Sequence, residues 1–345
     1  MSTRRKNPGL PVAEWPKEDQ QLWNRYMVEA DPFDFGSPGP LSPATVTGRR
    51  YSFGVLLAFI RRVHPALMAE PLHTRLTKPV MEDFVAALRQ TCRETTVALH
   101  LERVFFVVRC LCPDQDFRWI YQVARRIAVG APRLVHPLVL SPQLNRVGLE
   151  GLSSALDQDA GKRRLRRAAA YRDGLIVAVL SQAPMRRGSI AGLRLADLTK
   201  VGDVWQIYAR AEHVKTREAA EYELSRDLSQ AVDYYLAHIR PMFPGADKHD
   251  GLWPSQSNFP LRATSIGRIV GDRTASVLGT RVSPHGFRRG AAGLIAVADP
   301  DNIRSARDLL GHHDFRITER HYLPAAQTRR AGRALLRALS GAEAR

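Results

Sequence analysis

Apolar residues recur at helical spacing through most of the chain. Phe53, Leu56, Leu57, Phe59, Ile60 and Val63 mark one amphipathic helix, and Phe84, Ala87 and Leu88 mark another. Val104, Val107 and Val108 mark the next, followed by Trp119, Val123 and Ile127. Together they predict an all-helical domain over residues 21–130, preceded by a flexible basic arm over 1–20. Inside that domain Asp31–Thr47 is rich in Pro, Gly and Ser and reads as loop. Residues 131–161 hold prolines and few periodic signals, and read as a linker. A second domain spans 162–345. It opens on a basic run and an apolar helix at Leu175–Leu180. Further helices are expected at Leu228–Ile239, Thr264–Leu278, Phe287–Val297 and Ile303–Leu310. A short one should carry Tyr322, and an amphipathic one should run from Ala325 to Leu339. The β-prone runs Val204–Tyr208 and Glu221–Leu224 flank a polar stretch, which predicts a hairpin. The expected fold is mainly α: a helical N-terminal domain, then a mixed, mostly α domain with a small β-hairpin or sheet.

Charge adds a partner to this picture. Lys plus Arg number 51 against 34 for Asp plus Glu, a net charge of +17. An excess of that size points to a polyanion, with a solvated basic surface or an acidic protein as the alternatives. The basic residues are spread along the chain, and no apolar run is long enough to span a bilayer, so a membrane is not expected. The basic cluster Lys162, Arg163, Arg164, Arg166, Arg167 and Arg172 could by itself be a solvated helix face. Cys92, Cys110 and Cys112 are too few for a disulfide framework and fit a reducing cytoplasm. The N-terminus lacks the apolar core of a signal peptide.

Three short stretches carry candidate chemistry. The first runs from Pro184 to Leu198 and contains Arg186. The second, Ser283-Pro-His-Gly-Phe-Arg-Arg289, puts His285 and Arg288 on one face at the start of a helix. Free N–H groups and the dipole at a helix start suit a phosphate. Two guanidiniums there could offset the charge of a pentacoordinate phosphoryl transition state. The third, Leu309 to Tyr322, places a tyrosine after His312. Tyrosine is a capable nucleophile only in a cationic or basic setting, since its unperturbed pKa is about 10. Arg186, Arg288, His285 and His312 could supply that setting. His312 and His313 make a poor metal pair, because adjacent side chains point apart and no further ligand sits at zinc spacing.

In this order, Arg, Lys, H-x-x-R, L-G-H and Tyr, the residues resemble the tyrosine recombinase (phage integrase) family. The first stretch is similar to that family's arginine box, with Arg186 on the catalytic arginine and Asp197-Leu198 at the box end. Lys215-Thr216, in the hairpin, resembles the family's lysine turn. Pro284-His285-Gly286-Phe287-Arg288 resembles the H-x-L-R box, Leu310-Gly311-His312 the L-G-H element, and Tyr322 the nucleophile. The likeness is detailed over residues 165–325. In the first domain it extends only to size, helicity and position, as a core-binding domain. Two departures stand out. Ser189 occupies a position where the family usually has a carboxylate, and Pro184-Met185 replaces the usual Gly-Leu approach to the arginine.

The resemblance implies that Tyr322 attacks a DNA phosphate to form a 3′-phosphotyrosyl link, which a 5′-hydroxyl of a partner strand then resolves. It implies Arg186 and Arg288 on the phosphate oxygens, Lys215 as general acid for the leaving 5′-hydroxyl, His285 as acid/base partner of Tyr322, and His312 hydrogen-bonded to the phosphate. It implies no cofactor and no metal, double-stranded DNA as partner, self-association as a dimer or tetramer on DNA, and a place in the cytoplasm on the nucleoid. The final helix could pack on its own domain or dock on a neighbouring protomer. Two alternatives share the fold or the chemistry: a type IB topoisomerase-like enzyme, and a non-catalytic DNA-binding protein.

Overall fold

The computed structural model describes residues 9–25, 41–132, 137–157, 164–210, 220–299 and 304–310. The chain divides into two compact units, Met1–Val135 and His136–Arg345. The first is helical: α1 (Lys17–Trp23), α2 (Pro43–Val63), α3 (Leu72–Arg75), α4 (Lys78–Arg89), α5 (Glu94–Leu111) and α6 (Arg118–Gly130). Its core gathers Phe53, Leu56 and Ile60 of α2, Phe84 of α4, Leu101 of α5 and Ile120 of α6. These are the positions at which the helical apolar period places one face inward.

Two expectations for this unit are corrected. Residues 9–20 are not a free arm. Leu10, Trp15 and Asp19 are buried. The Trp15 indole donates to the Leu10 carbonyl at 2.9 Å and meets Trp23 and Phe53 edge-on. Arg75 donates to the Asp19 carboxylate at 2.6 Å, and both side chains are almost wholly buried. Burial pushes the Asp19 carboxyl above its usual range although Arg75 lies beside it. The segment is polar in composition, but its few apolar residues are large and its one buried charge has a partner. The loop expected over Asp31–Thr47 also ends early. Ser42 accepts a hydrogen bond from the Thr45 amide at 3.2 Å, so α2 begins at Pro43.

The second unit is built around α8 (Arg164–Gln182). Every residue from Leu175 to Leu180 is buried, as expected of a helix that is apolar on all sides. Part of the expected linker is a helix packed against it, α7 (Ser141–Leu156). Leu144, Val147, Leu152 and Ala155 of α7 enter the core. Glycines, which read as loop signals, here permit close helix crossing. A Cβ on Gly148 would lie 2.4 Å from the Ala178 amide nitrogen, and one on Gly174 would lie 2.9 Å from the Gly151 carbonyl carbon. After α9 (Arg187–Ala191) comes a three-stranded antiparallel sheet: β1 (Leu198–Val201), β2 (Val204–Ala209) and β3 (Ala220–Glu223), in that order. The expected hairpin is β2–β3, and β1 is an addition. It joins β2 through Gly202, whose φ of +58° suits a glycine turn. Leu198 pairs with Ile207, and Ile207 with Tyr222, so the three share one face of the sheet. The remaining helices are α10 (Arg226–Tyr234), α11 (Ala263–Leu278), α12 (Pro284–Ala298) and α13 (Ser305–Leu310). The helices expected to carry Tyr322 and to run from Ala325 to Leu339 lie outside the described residues.

Gly148→Ala should therefore lower the unfolding midpoint of the full chain. Overpacking of about 1–3 kcal/mol corresponds to a fall of roughly 2–10 °C for a domain of this size. Gly188→Ala is the comparison: Gly188 lies in α9 with open space around its Cβ position, and its midpoint should hold or rise slightly. Thermal unfolding of both variants checks this.

Candidate active site

The first arginine is set by the end of α8. The Met185 amide donates to the Ala183 carbonyl at 2.7 Å, and Met185 is buried. Pro184-Met185 thus makes a tight, core-anchored turn. Arg186 follows in extended conformation as the N-cap of α9, half-buried. The rest of the arginine box is pinned from behind. The buried Trp253 indole donates to the Ile190 carbonyl at 2.9 Å, and the Leu252 amide donates to the Leu193 carbonyl at 2.8 Å. Ser189 is buried within α9. At the box end Asp197 is buried; one oxygen accepts from the Arg194 amide at 2.8 Å and the other from Arg210 Nε at 2.5 Å.

The second arginine stands on α12. Ser283 caps that helix by accepting from the Gly286 amide at 3.3 Å, with Pro284 in its first turn. The helix therefore starts three residues before the expected Phe287, because the cap and the proline precede the first apolar residue. His285 is exposed in this first turn, and Arg288, one turn on, is 3% exposed. One Nη of Arg288 donates to the Pro184 carbonyl at 2.7 Å, and the other donates to the Leu310 carbonyl. The guanidinium plane is thereby fixed between the approach to Arg186 and the last residue of α13. Ala292 of α12 packs with Ala306 and Leu310 of α13, which holds that carbonyl in place.

Tyr222 reports where the two arginines lie. Its hydroxyl donates to the Leu309 carbonyl at 3.4 Å. Burial pushes this hydroxyl's pKa up, while the Arg288 guanidinium, and after it that of Arg186, pull it back. The geometric link between the two arginine segments is the Pro184 carbonyl, which accepts from Arg288 two residues before Arg186. Sequence reasoning placed Tyr222 among packing residues, and the alternation of β3 gave no sign of these neighbours. The structure thus brings Arg186 and Arg288 together, with His285 one turn before Arg288. Lys215, His312 and Tyr322 lie outside the described residues.

The basic cluster at the start of α8 is divided. Arg167 donates to the Ala155 and Leu156 carbonyls at 2.9 and 3.2 Å, closing the end of α7. Arg172 is buried, donates to the Pro254 carbonyl at 2.6 Å and pairs with Asp173. These two belong to the fold, contrary to the reading of the whole cluster as a solvated or phosphate-binding face. Arg164 and Arg166 are exposed, and Lys162 and Arg163 lie outside the described residues.

A mostly helical unit with a small three-stranded antiparallel sheet is the architecture of the tyrosine recombinase fold. The chain belongs to the phage integrase family, whose pattern matches residues 154–329, just over half of it. No curated protein matches the sequence. Among solved structures it is similar to the Tn1549 transposon integrase in complex with transposon right end DNA. That match has 15% identity and a TM-score of 0.59, over 92% of this chain and 98% of the other. It is similar to the XerH site-specific recombinase bound to palindromic difH substrate, at 15% identity and a TM-score of 0.59, over 84% and 79% of the two chains. A lambda integrase dimer bound to a COC′ core site matches at 15% identity and a TM-score of 0.53, over 87% and 93%. At such identities these likenesses speak for the fold.

Arg288→Lys should cost stability as well as activity. An ammonium cannot span the Pro184 and Leu310 carbonyls as a planar fork does, and a buried acceptor left unpaired costs about 1–3 kcal/mol. Arg186→Lys, at a half-buried helix cap, should leave the unfolding midpoint within a degree or two. Paired thermal melts check this; equal melting temperatures for Arg288→Lys and wild type would remove the structural part of the assignment.

Proposed function

We propose that this chain is a site-specific DNA recombinase that cuts and rejoins strands through a 3′-phosphotyrosyl intermediate on Tyr322. The observation that carries the reading is that the Arg288 guanidinium is held by the carbonyl of Pro184, two residues before Arg186, and by that of Leu310. A preorganised guanidinium on Arg288, with Arg186 two residues beyond the carbonyl that orients it, suits a phosphate whose charge grows in the transition state. In this reading Tyr322 Oη bonds to phosphorus and the bond from phosphorus to the 5′ oxygen breaks. Lys215 gives the leaving oxygen its proton, His285 exchanges a proton with Tyr322, and His312 hydrogen-bonds the phosphate. A 5′-hydroxyl from another duplex then displaces the tyrosine. The ester stores the energy of the broken bond, so neither a nucleotide nor another cofactor is required.

The first unit serves as the core-binding domain, and duplex DNA is the partner of both units. Protomers associate as a dimer or tetramer on DNA, since exchange needs two cut duplexes. Exposed cations such as Arg164 and Arg166 supply backbone contacts, and the site of action is the nucleoid. Binding should weaken steeply with salt. Each neutralised phosphate adds about −0.9 to the log–log slope. Titration of duplex binding against salt should give a slope of several phosphates, and a flat response would speak against DNA as the main partner.

The functional test uses plasmids carrying DNA that flanks the gene. Wild type should exchange strands at one fixed position, giving recombinant products of unique junction. Arg186→Lys and Arg288→Lys should bind the same DNA but cleave about 100-fold more slowly, the scale of losing one transition-state donor. Relaxation of supercoils with breaks spread over many sequences would instead mark a topoisomerase. Binding without any cleavage would mark a non-catalytic protein.

A further inference from the structure

α9 spans only Arg187–Ala191, too short a helix to hold its shape by its own hydrogen bonds. Its place must be set from outside. Within it the Ile190 amide donates to the Arg186 carbonyl at 3.1 Å, and the Ile190 carbonyl accepts from the buried Trp253 indole at 2.9 Å. A single residue thus links Trp253 to the backbone that carries the first arginine. The segment that presents the indole has no regular secondary structure, yet every carbonyl from His249 to Pro254 accepts a hydrogen bond. Arg240 donates to those of His249 and Gly251 at 2.8 and 3.0 Å. Tyr235 donates to that of Leu252 at 2.8 Å, and Arg172 to that of Pro254 at 2.6 Å. The Leu195 and Leu261 amides donate to those of Asp250 and Trp253 at 2.8 and 2.7 Å.

Arg172, Tyr235 and Arg240 are themselves buried. A buried guanidinium cannot lose its charge and so keeps its acceptors, which makes these carbonyl contacts lasting ones. The irregular segment is thereby as firmly held as a strand in a sheet, and it offers α9 one side-chain donor with no acceptor character of its own. We propose that Trp253 is a positioning residue for Arg186: its indole N–H, on a segment fixed along its length, sets the place of α9 and with it the point at which the Arg186 guanidinium meets a phosphate. The proposal rests on the assignment of Arg186 to the phosphate oxygens. Without the indole N–H the Ile190 carbonyl is left buried and unpaired, and α9 must move to find another donor. A displacement of about 1 Å can cost 10²-fold in rate.

The charge of the cleaved group separates positioning of a cation from general support of the fold. A methylphosphonate carries a methyl in place of one charged non-bridging oxygen, so its transition state has one negative charge fewer for an arginine to offset. Single-turnover adduct formation is measured for the full chain, in excess, on nicked duplexes from the flanking DNA with phosphate or methylphosphonate at the cleaved position. Arg186→Ala should lose about 100-fold or more on phosphate and regain the wild-type rate on methylphosphonate. Trp253→Phe keeps a ring and loses the N–H. It should lose roughly 10-fold on phosphate and match wild type on methylphosphonate. Tyr235→Phe, which frees the neighbouring Leu252 carbonyl, should show the same split at smaller size, and it keeps the test informative if Trp253→Phe fails to fold. Gly148→Ala, a packing change on α7, should alter both rates by the same factor. Equal losses on the two substrates for Trp253→Phe and Tyr235→Phe, or no loss on phosphate, would overturn the proposal while the rescue of Arg186→Ala stands. If Arg186→Ala loses nothing on phosphate, or is not rescued by methylphosphonate, the Arg186 assignment itself falls and the proposal with it.

Discussion

Arg288 lies between two backbone carbonyls, those of Pro184 and Leu310, inside a unit whose core is mainly apolar. A guanidinium cannot lose its charge in a protein, so burial forces it to find acceptors and to keep them. The acceptors it finds come from segments 104 and 22 residues away in sequence. One contact therefore fixes α12, the approach to Arg186 and the end of α13 relative to each other. In the proposed mechanism the group that would bind the transition-state charge is also this fastener. Its orientation is set before any ligand arrives, which is what electrostatic preorganisation requires.

The surrounding packing serves that constraint. The wholly buried run of α8 ends at Ser181, and the turn at Pro184-Met185 just past the helix is anchored in the core. The carbonyl that orients Arg288 thus follows directly on the buried helix at the centre of the unit. α7 can press against α8 because glycines face it, and the sheet carries Tyr222 on its inward face because its register aligns Leu198, Ile207 and Tyr222. Asp197 and Arg210 then couple the sheet to the arginine box. Charges consumed in this way, Arg167 and Arg172 among them, count toward the net charge without being offered to a partner.

Much of this was legible in the sequence, and for identifiable reasons. The apolar run at Leu175–Leu180 and the β-prone runs are local signals, and the helix and hairpin followed them. The order of Arg186, Lys215, His285, Arg288, His312 and Tyr322 pointed to the family. What escaped depends on neighbours distant in sequence. Gly148 and Gly174 read as breakers until their partner helices are known. Gly202-Asp203 is a two-residue turn signal that could have revealed β1, but the strand before it has only four residues, mostly exposed, and the first of them closes the arginine box. Arg172 and Asp19 look like surface charges because their partners, the Pro254 carbonyl and Arg75, lie 82 and 56 residues away. The carbonyl partners of Arg288 leave no trace in composition or period.

The proposed function turns on a covalent link between Tyr322 and DNA. The direct measurement is to let the wild-type chain react with a nicked duplex whose short cleaved strand diffuses away. The trapped complex is then digested with protease, and the DNA-linked peptide is identified by mass spectrometry. The account predicts a single linked peptide containing Tyr322, attached to a 3′-phosphate, with a free 5′-hydroxyl on the released strand. A linked peptide without Tyr322, for example one containing Tyr222, or a link to a 5′-phosphate, would contradict it.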